Sequence, residues 1–406
     1  MKTIHKIQAP GGGYFLINCY SLDILGPFES NAQEVIPDSF GMLPFEIMPF
    51  EELQPLAMRL EVSERCNLHC EYCLVYKNGL GTSGRQMSAE VADSILQTFH
   101  KEISHGPVTI TGGEPLMNWA ILKRLITALS SRASIDLLTN GLLLSDERIC
   151  FLAKHRVNTR ISLDGFEEHN RSRFSPDPST TFQKLVKTIK KGLRSGLKVA
   201  INCTVTVNNI NSLTKIHNFF VRDLGVKEIG YNLPHYAKDS AYNDVDVTLY
   251  AQKLLEIYEL SKVEGIYVSQ IMSRLIPLVN RRFKAFACPV LGPQVTFLPD
   301  GTKTMCTKLM SSEKTAAITG RELYEGLPFF TSKCRSCPAI GICGGGCYWD
   351  GLIRNGEPRD DRVCILHEIL LPHLVANVAS WRRRFGQNIH KELNSIFGTS
   401  VFKDNY

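Results

Sequence analysis

The stretch Ala57-Met58-Arg59-Leu60-Glu61-Val62-Ser63-Glu64-Arg65-Cys66-Asn67-Leu68-His69-Cys70-Glu71-Tyr72-Cys73 decides how this chain is read. Its first part, Ala57–Val62, is a short apolar run and predicts a strand. The strand passes directly into three cysteines separated by three and then two residues. Three thiolates at that spacing can wrap one compact metal centre. They satisfy three irons of a cubane cluster and leave the fourth open to a small molecule. A structural zinc site, with His69 as fourth ligand, is the other reading of the same residues.

Outward from this stretch the pattern repeats. Further strands are predicted at Val108–Thr111, Ile135–Thr139, Thr159–Leu163, Lys198–Val205 and Glu228–Asn232. Helices with capping residues lie between them: Ser88 before Ala89–Ile103, Asn118 before Trp119–Leu129, and Ser145 before Asp146–His155. Ser179 and Asn211 open two more. Strands alternating with helices mean βαβ units and a parallel sheet. Six units fall short of the eight of a closed barrel. The expected fold class is therefore α/β, a partial (β/α)6 barrel of the TIM type. Ligands of such sheets sit at the C-terminal ends of the strands.

The chain divides by composition. Residues 1–57 are an N-terminal extension in which Tyr14 to Leu22 predicts a strand or two and no chemistry is evident, although it could engage a peptide. The barrel takes 58–240. Residues 241–285 read as a helical linker, with Leu249, Leu254, Leu255, Tyr258 and Leu260 at helical spacing. In 286–380 Gly, Pro and Cys displace the periodic pattern up to about Cys364, so this segment needs metal or clusters as its staple. Residues 381–406 form a helical tail.

The 406 residues carry 46 Lys and Arg against 40 Asp and Glu, a net charge of +6 that is spread out, so no nucleic-acid partner is expected. The N-terminus lacks the apolar core of a secretory signal, and no apolar run approaches the ~20 residues of a membrane span. A cytoplasmic enzyme with no membrane partner is expected. Such a chain keeps few disulfides, so thirteen cysteines point to metal or cluster ligation. Cys19, Cys150 and Cys203 stand apart and read as small buried hydrophobes, Cys19 being the one placed to serve as a remote ligand.

These residues carry a resemblance. Cys66-x3-Cys70-x2-Cys73, with aromatic Tyr72 before the third cysteine, resembles the signature of the radical S-adenosylmethionine (SAM) superfamily. Gly112-Gly113-Glu114-Pro115 after the second strand is similar to the family motif that contacts the SAM amino group. Asn140 follows the third strand. Ser162 and Asp164 follow the fourth, then His169-Asn170-x-x-Arg173, similar to the segment reaching the SAM ribose and carboxylate. Asn202 and Thr204 stand where the family has ribose contacts, and Tyr231 near the expected adenine. The resemblance covers about residues 58–235. Read as residues alone, glycines without a Cβ let backbone approach a ligand closely, and Glu114 can accept from an ammonium.

The later cysteines, Cys288, Cys306, Cys334, Cys337, Cys343, Cys347 and Cys364, with Gly301 between the first two, allow two zinc sites by spacing and resemble the seven-cysteine SPASM domain. That resemblance implies two auxiliary clusters beside the SAM cluster, three iron–sulfur clusters in all, each of the 4Fe–4S type. Cys334, Cys337, Cys343 and Cys364 would ligate the outer one. Cys288, Cys306 and Cys347 would hold the inner one without an eighth cysteine, because Gln294 stands at its place.

The family chemistry so implied is reductive cleavage of SAM to a 5′-deoxyadenosyl radical that abstracts hydrogen from a residue of a ribosomally made precursor peptide, giving a crosslink, oxidation or excision. A flavodoxin- or ferredoxin-like donor would supply the electron. Sulfatase-type maturation of Ser or Cys is the alternative, although its members carry aspartate where this chain has Thr307. A small-molecule dehydrogenase or epimerase is another. Tyr231, His235 and Glu64 near strand ends are the candidates for the acid or base.

Overall fold

The computed structural model describes residues 3–30, 36–37, 40, 49–53, 56–74, 84–173, 178–237, 240–288, 294–311 and 313–403. Much of the extension's later part (31–35, 38–39, 41–48, 54–55), where peptide engagement was expected, lies outside the described residues. Two compact units emerge. One joins Phe50–Val245 to Pro289–Gly320; the other joins Met1–Pro49 to Asp246–Cys288 and Arg321–Tyr406. The expected cysteine-rich segment 286–380 is thus shared between them, because its first part pairs with the barrel sheet.

In the helical unit, β1 (Ile4–Gln8), β2 (Tyr14–Asn18) and β3 (Ile24–Phe28) form an antiparallel sheet in the order β1-β2-β3. Its core joins Tyr14, Leu16 and Phe40.

The barrel unit contains β4 (Ala57–Glu61), β5 (Gly106–Thr111), β6 (Ala133–Thr139), β7 (Asn158–Ser162), β8 (Lys198–Thr204) and β9 (Glu228–Asn232). They run parallel in the order β9-β8-β7-β6-β5-β4, within a residue or two of the predicted strands. This is the expected partial barrel. The connecting helices are α1 (Ala89–Thr98), α2 (Trp119–Leu129), α3 (Asp146–Lys154), α4 (Pro178–Arg194) and α5 (Leu213–Asn218).

Successive strand residues face opposite sides. Val108, Ile110, Ile135, Leu137, Ile161, Ile201 and Ile229 are buried on one face. The other face is polar. Arg160 of β7 pairs there with Asp136 of β6 at 2.9 Å and Glu228 of β9 at 2.6 Å. Paired charges of this kind can lie between strands where a lone one would not.

Ser88 and Ser145 cap as expected, accepting from the backbone N–H of Val91 and Arg148 at 3.3 Å. Asn118 does not cap. Its Nδ2 donates to the carbonyls of Val62 and Met87, tying the start of α2 to the end of β4. Past the barrel, Gln294–Phe297 lies parallel to β4 and antiparallel to Lys303–Thr304. Gly301 turns this hairpin at φ +86°, a conformation in which a Cβ is strained.

The helical unit continues with α6 (Val247–Glu264) and α7 (Ser269–Asn280), then α8 (Tyr348–Asn355), α9 (Arg362–Phe385) and α10 (Ile389–Phe397). The linker read as one helical stretch breaks at Gly265, whose φ is +66° and where a Cβ would stand 2.4 Å from the Ile396 carbonyl oxygen. Helix α9 is the spine of this unit, packed on α6, α7 and the N-terminal sheet. An 18-residue window within Arg362–Phe397 reaches a mean hydropathy of 1.5. Leu366, Leu370, Leu374, Val375 and Val378 account for it as core positions.

Candidate active site

The loop from Val62 to Leu74 leaves the C-terminal end of β4 and is anchored by the next strand end. The Gly113 N–H donates to the Ser63 carbonyl at 2.7 Å, and the Glu114 N–H to the Arg65 carbonyl at 2.8 Å. A Cβ on Gly112 would stand 2.2 Å from the Ser63 oxygen, and one on Gly113 2.4 Å from the Arg65 oxygen. The close approach expected of the glycine pair is therefore made to the cysteine loop itself.

Cys66, Cys70 and Cys73 are free thiols, each half-buried. The Cys66 sulfur accepts from the Leu68 N–H at 3.4 Å and lies 4.0 Å from Asn140 Nδ2. Asn140 also donates to Asn67 Oδ1 at 2.8 Å. Burial pushes the Cys66 thiol up, and the charges of Glu114 and then Cys73 add to it. Burial pushes Cys70 up to about 12, opposed by Arg173 and reinforced by Cys73, Asp164 and Cys66. Three free thiols on one loop are a donor set that a cation completes by replacing their protons. His69, the fourth ligand of the zinc reading, is exposed.

Behind the loop sits a buried polar knot. Asp164 is 1% and Arg173 9% exposed. The Tyr72 hydroxyl donates to Asp164 Oδ2, and Arg173 Nη1 donates to the Tyr72 oxygen at 2.8 Å. Arg173 and Asp164 form an ion pair at 3.7 Å, while Asp164 Oδ1 accepts from the Thr204 N–H at 2.9 Å. Three segments remote in sequence are thereby joined. Asn170 and His169 serve the same turn locally, Asn170 Oδ1 accepting from the Asp164 N–H and His169 Nδ1 from the Phe166 N–H.

Glu114 is fully buried. Its carboxylate accepts from the Leu116 N–H, from Thr139 Oγ1 at 2.7 Å and from the Asn140 N–H at 2.7 Å. Expected as an acceptor for an ammonium, it here brackets the ends of β5 and β6. Pro115, also buried, opens a 3-10 turn after it.

Ser162, Asn202 and Gly230 stand in register across β7, β8 and β9, with Thr204 and Asn232 paired above them. The polar side chains among them are half-buried or exposed, unlike their buried neighbours Ile161, Ile201 and Cys203. This row can meet a nucleoside. Tyr231 cannot. Strand alternation turns it to the buried face with Cys203, where it is 0% exposed and its hydroxyl lies 2.9 Å from His217 Nδ1. Its place near an adenine, and its candidacy as acid or base, are corrected on that ground. A Tyr231→Phe substitution should cost about 1–3 kcal/mol of stability in denaturant unfolding and leave SAM affinity unchanged. A weakened SAM affinity at unchanged stability would contradict this placement.

Glu64 is corrected as well. Arg85 holds its carboxylate through the backbone N–H at 2.9 Å, Nε at 3.0 Å and Nη2 at 2.7 Å, and also pairs with Asp300. A carboxylate so occupied is a structural anchor. His235 is half-buried, with Nε2 2.6 Å from Lys308 Nζ. Sequence reading missed Lys308 and Glu61. Glu61 ends β4, is 8% exposed and accepts from Thr307 Oγ1 at 2.5 Å. Nothing local marks these contacts, which join residues 73 and 246 positions apart.

In the helical unit, Cys334, Cys337, Cys343 and Cys364 line one cavity of about 310 Å³ with Ile7, Ala339 and Ile340. All four are free and half-buried. Burial pushes Cys343 up to about 11, with Cys364 and Cys337 adding to it. Of the remaining trio, Cys288 and Cys347 belong to this unit and Cys306 to the barrel unit. Cys19 and Cys203 are buried as expected. Cys150 is exposed, because α3 turns Ile149 and Leu152 inward instead.

The profile of a family described as the Radical SAM superfamily matches residues 60–218. The radical SAM cyclopropyl synthase TigE of Paramaledivibacter caminithermalis is 26% identical over 365 residues, 79% of this chain and 74% of its own. The antilisterial bacteriocin subtilosin biosynthesis protein AlbA of Bacillus subtilis is 26% identical over 340 residues, 75% of this chain and 70% of its own. Among solved structures, native anSMEcpe with bound AdoMet and Cp18Cys peptide shares the fold, with a TM-score of 0.65 at 19% identity over 80% of this chain and 99% of that one. The profile match opens inside β4, takes in the whole cysteine loop, the glycine bracket and the Tyr72–Asp164–Arg173 knot, and ends with α5. Sequence profile and geometry thus meet on the same residues, and the segment 60–218 is what matches the radical SAM superfamily.

Proposed function

We propose that this enzyme modifies a residue of a ribosomally made precursor peptide by radical chemistry. One observation carries the reading: the likeness to a bacteriocin biosynthesis protein extends over 340 residues, well beyond the 60–218 core. A radical SAM enzyme works with SAM and a 4Fe–4S cluster. When bound, they supply one-electron cleavage of the sulfonium and removal of a hydrogen atom from an unactivated carbon.

The chain's own residues supply positioning. Cys66, Cys70 and Cys73 hold the cluster, and Asn140 orients the Cys66 sulfur. Tyr72, Asp164 and Arg173 fix the loop that carries them. Ser162, Asn202, Thr204 and Asn232 receive the nucleoside along their row, with Gly230 leaving room for it. Gly112, Gly113, Glu114 and Pro115 keep strand ends and loop in fixed relation. Glu61 and the His235–Lys308 pair are the polar groups offered to a substrate at the same strand ends.

Cys334, Cys337, Cys343 and Cys364 hold an auxiliary cluster. Four free thiols around one cavity match the four irons of a cubane. For Cys288, Cys306 and Cys347, assignment to a further cluster rests on the SPASM resemblance alone. A flavodoxin- or ferredoxin-like protein is the proposed electron donor.

Sulfatase-type maturation keeps one observation in its favour. Thr307 replaces the expected aspartate, yet the Glu61 carboxylate stands beside it at 2.5 Å. Anaerobic turnover with SAM and a low-potential reductant, using peptides encoded beside the gene and read by mass spectrometry, separates the two. A peptide mass change coupled to 5′-deoxyadenosine is expected. Deoxyadenosine with a changed sulfatase peptide, and none with the neighbouring peptides, would replace this reading with the other.

A further inference from the structure

Behind His367, which lines the four-cysteine cavity, stands a buried arginine. Arg274, on α7, is 9% exposed. Its Nη1 donates to the Gln270 carbonyl at 2.6 Å and to Ser273 Oγ at 3.2 Å, and its Nε donates to His367 Nε2 at 3.1 Å. Lys284 donates through Nζ to the Ser273 carbonyl at 3.2 Å and through its backbone N–H to the Gly341 carbonyl at 2.8 Å. His367 lines the cavity beside Cys364 and Cys343. Because an arginine can only donate, His367 Nε2 accepts, and the imidazole is neutral. Burial and both cations hold it far below its usual range, while burial and Arg274 pull Lys284 down to about 8.

Among the described residues no carboxylate pairs with Arg274 or Lys284. The acidic groups that bear on Arg274 are the Tyr250 hydroxyl and then the Cys343 thiol, and the Cys343 thiol bears on Lys284 too. Glu368, also at the cavity, is exposed. Arg359 differs: it reaches the Cys334 sulfur at 3.8 Å but is already paired with Glu357 and Asp361. A buried and a half-buried cation without a carboxylate partner are costly in a folded protein. A cubane held by four thiolates carries net negative charge, and adding one electron makes it more negative without any bond made or broken.

We infer that Arg274 and Lys284, relayed by His367, are the built-in counter-charge of the cluster at Cys334, Cys337, Cys343 and Cys364 and raise its reduction potential. They stabilise the reduced state more than the oxidised one, since Coulomb attraction grows with the cluster's charge. The inference rests on the assignment of a cluster to this cavity. Arg274, Lys284 and His367 are positioning residues, not catalytic ones.

The test is a redox titration of the full chain, reconstituted anaerobically in the Cys66→Ala, Cys70→Ala, Cys73→Ala background, with dithionite as reductant and electron paramagnetic resonance as readout. At a fixed solution potential, Arg274→Leu should lower the reduced-to-oxidised ratio of this cluster at least tenfold, a fall of 59 mV in midpoint for one electron. Arg274→Lys should restore most of it. Lys284→Met should shift the midpoint in the same direction, and it carries the test if Arg274→Leu loads no cluster. Metal-free Lys284→Met should melt no lower than the unsubstituted apo chain, because a half-buried charge with no carboxylate partner is removed. An unchanged midpoint in a fully loaded variant overturns the inference and leaves the cluster assignment standing. Iron content unaffected by replacing Cys334, Cys337, Cys343 and Cys364 with alanine overturns both.

Discussion

With Cys66, Cys70 and Cys73 all replaced by alanine, no 5′-deoxyadenosine is expected from SAM and reductant, while the C-terminal cysteines keep their iron. The loss should be complete, because the three thiols are the whole donor set of the loop and no other cysteine follows β4 before Cys150. Iron content should fall by about four atoms per chain, one cubane. Folding should survive. The loop is held by backbone bonds from Gly113 and Glu114 to Ser63 and Arg65, none of which involves a thiol. Deoxyadenosine at an undiminished rate would remove the cluster from this loop and the radical chemistry with it.

A second large effect is expected at Asp164. Removing its carboxylate leaves the Arg173 guanidinium buried without its counter-ion, and also strips acceptors from Tyr72 and from the Thr204 N–H. Breaking a buried pair in this way costs about 3–5 kcal/mol, because the remaining charge cannot return to water. Asp164→Ala should therefore lower the melting temperature by roughly 10 °C. The double variant Asp164→Ala, Arg173→Leu should recover part of that loss, since the stranded charge is gone. A double variant no more stable than Asp164→Ala alone would mean that the pair's electrostatics do not dominate the knot. Loop mobility gives an independent reading: hydrogen exchange at Glu71, whose N–H donates to the Ser172 carbonyl at 2.9 Å, should quicken in Asp164→Ala.

Much of the barrel was legible because alternation is a local property. Glu228–Asn232 came out residue for residue, and the other strands within a residue or two, since each is a short apolar run bounded by capping residues. The cysteine loop was legible for a chemical reason: three thiols in eight residues serve little else. Facing was less legible. Tyr231 follows a strand into the candidate site, yet period two turns it to the buried face while Gly230 and Asn232 take the other. Fixing the phase of that alternation from Asn202 and Thr204 would have been enough to see it. Asn118 stands at a helix start and looks like a cap, but it bridges two carbonyls on other segments. Cys150 shows the converse: a cysteine's usual burial says less than the helix face on which it falls.

By itself the sequence determined the order of strands and helices, the thiol sets, and the placing of polar residues at strand ends, because periodicity and spacing depend on neighbours along the chain. Only the tertiary structure decided what those residues hold. It occupied Glu64 with Arg85, bracketed Glu114 between two strands, and set Glu61 beside Thr307 and Lys308 beside His235. It also set Arg274 against His367 of the four-cysteine cavity and Lys284 on the carbonyl of Ser273, next to Arg274 in the chain. A buried charge or hydrogen bond depends on which side chains meet in space, and residues tens or hundreds of positions apart meet only after the sheet and helices have packed.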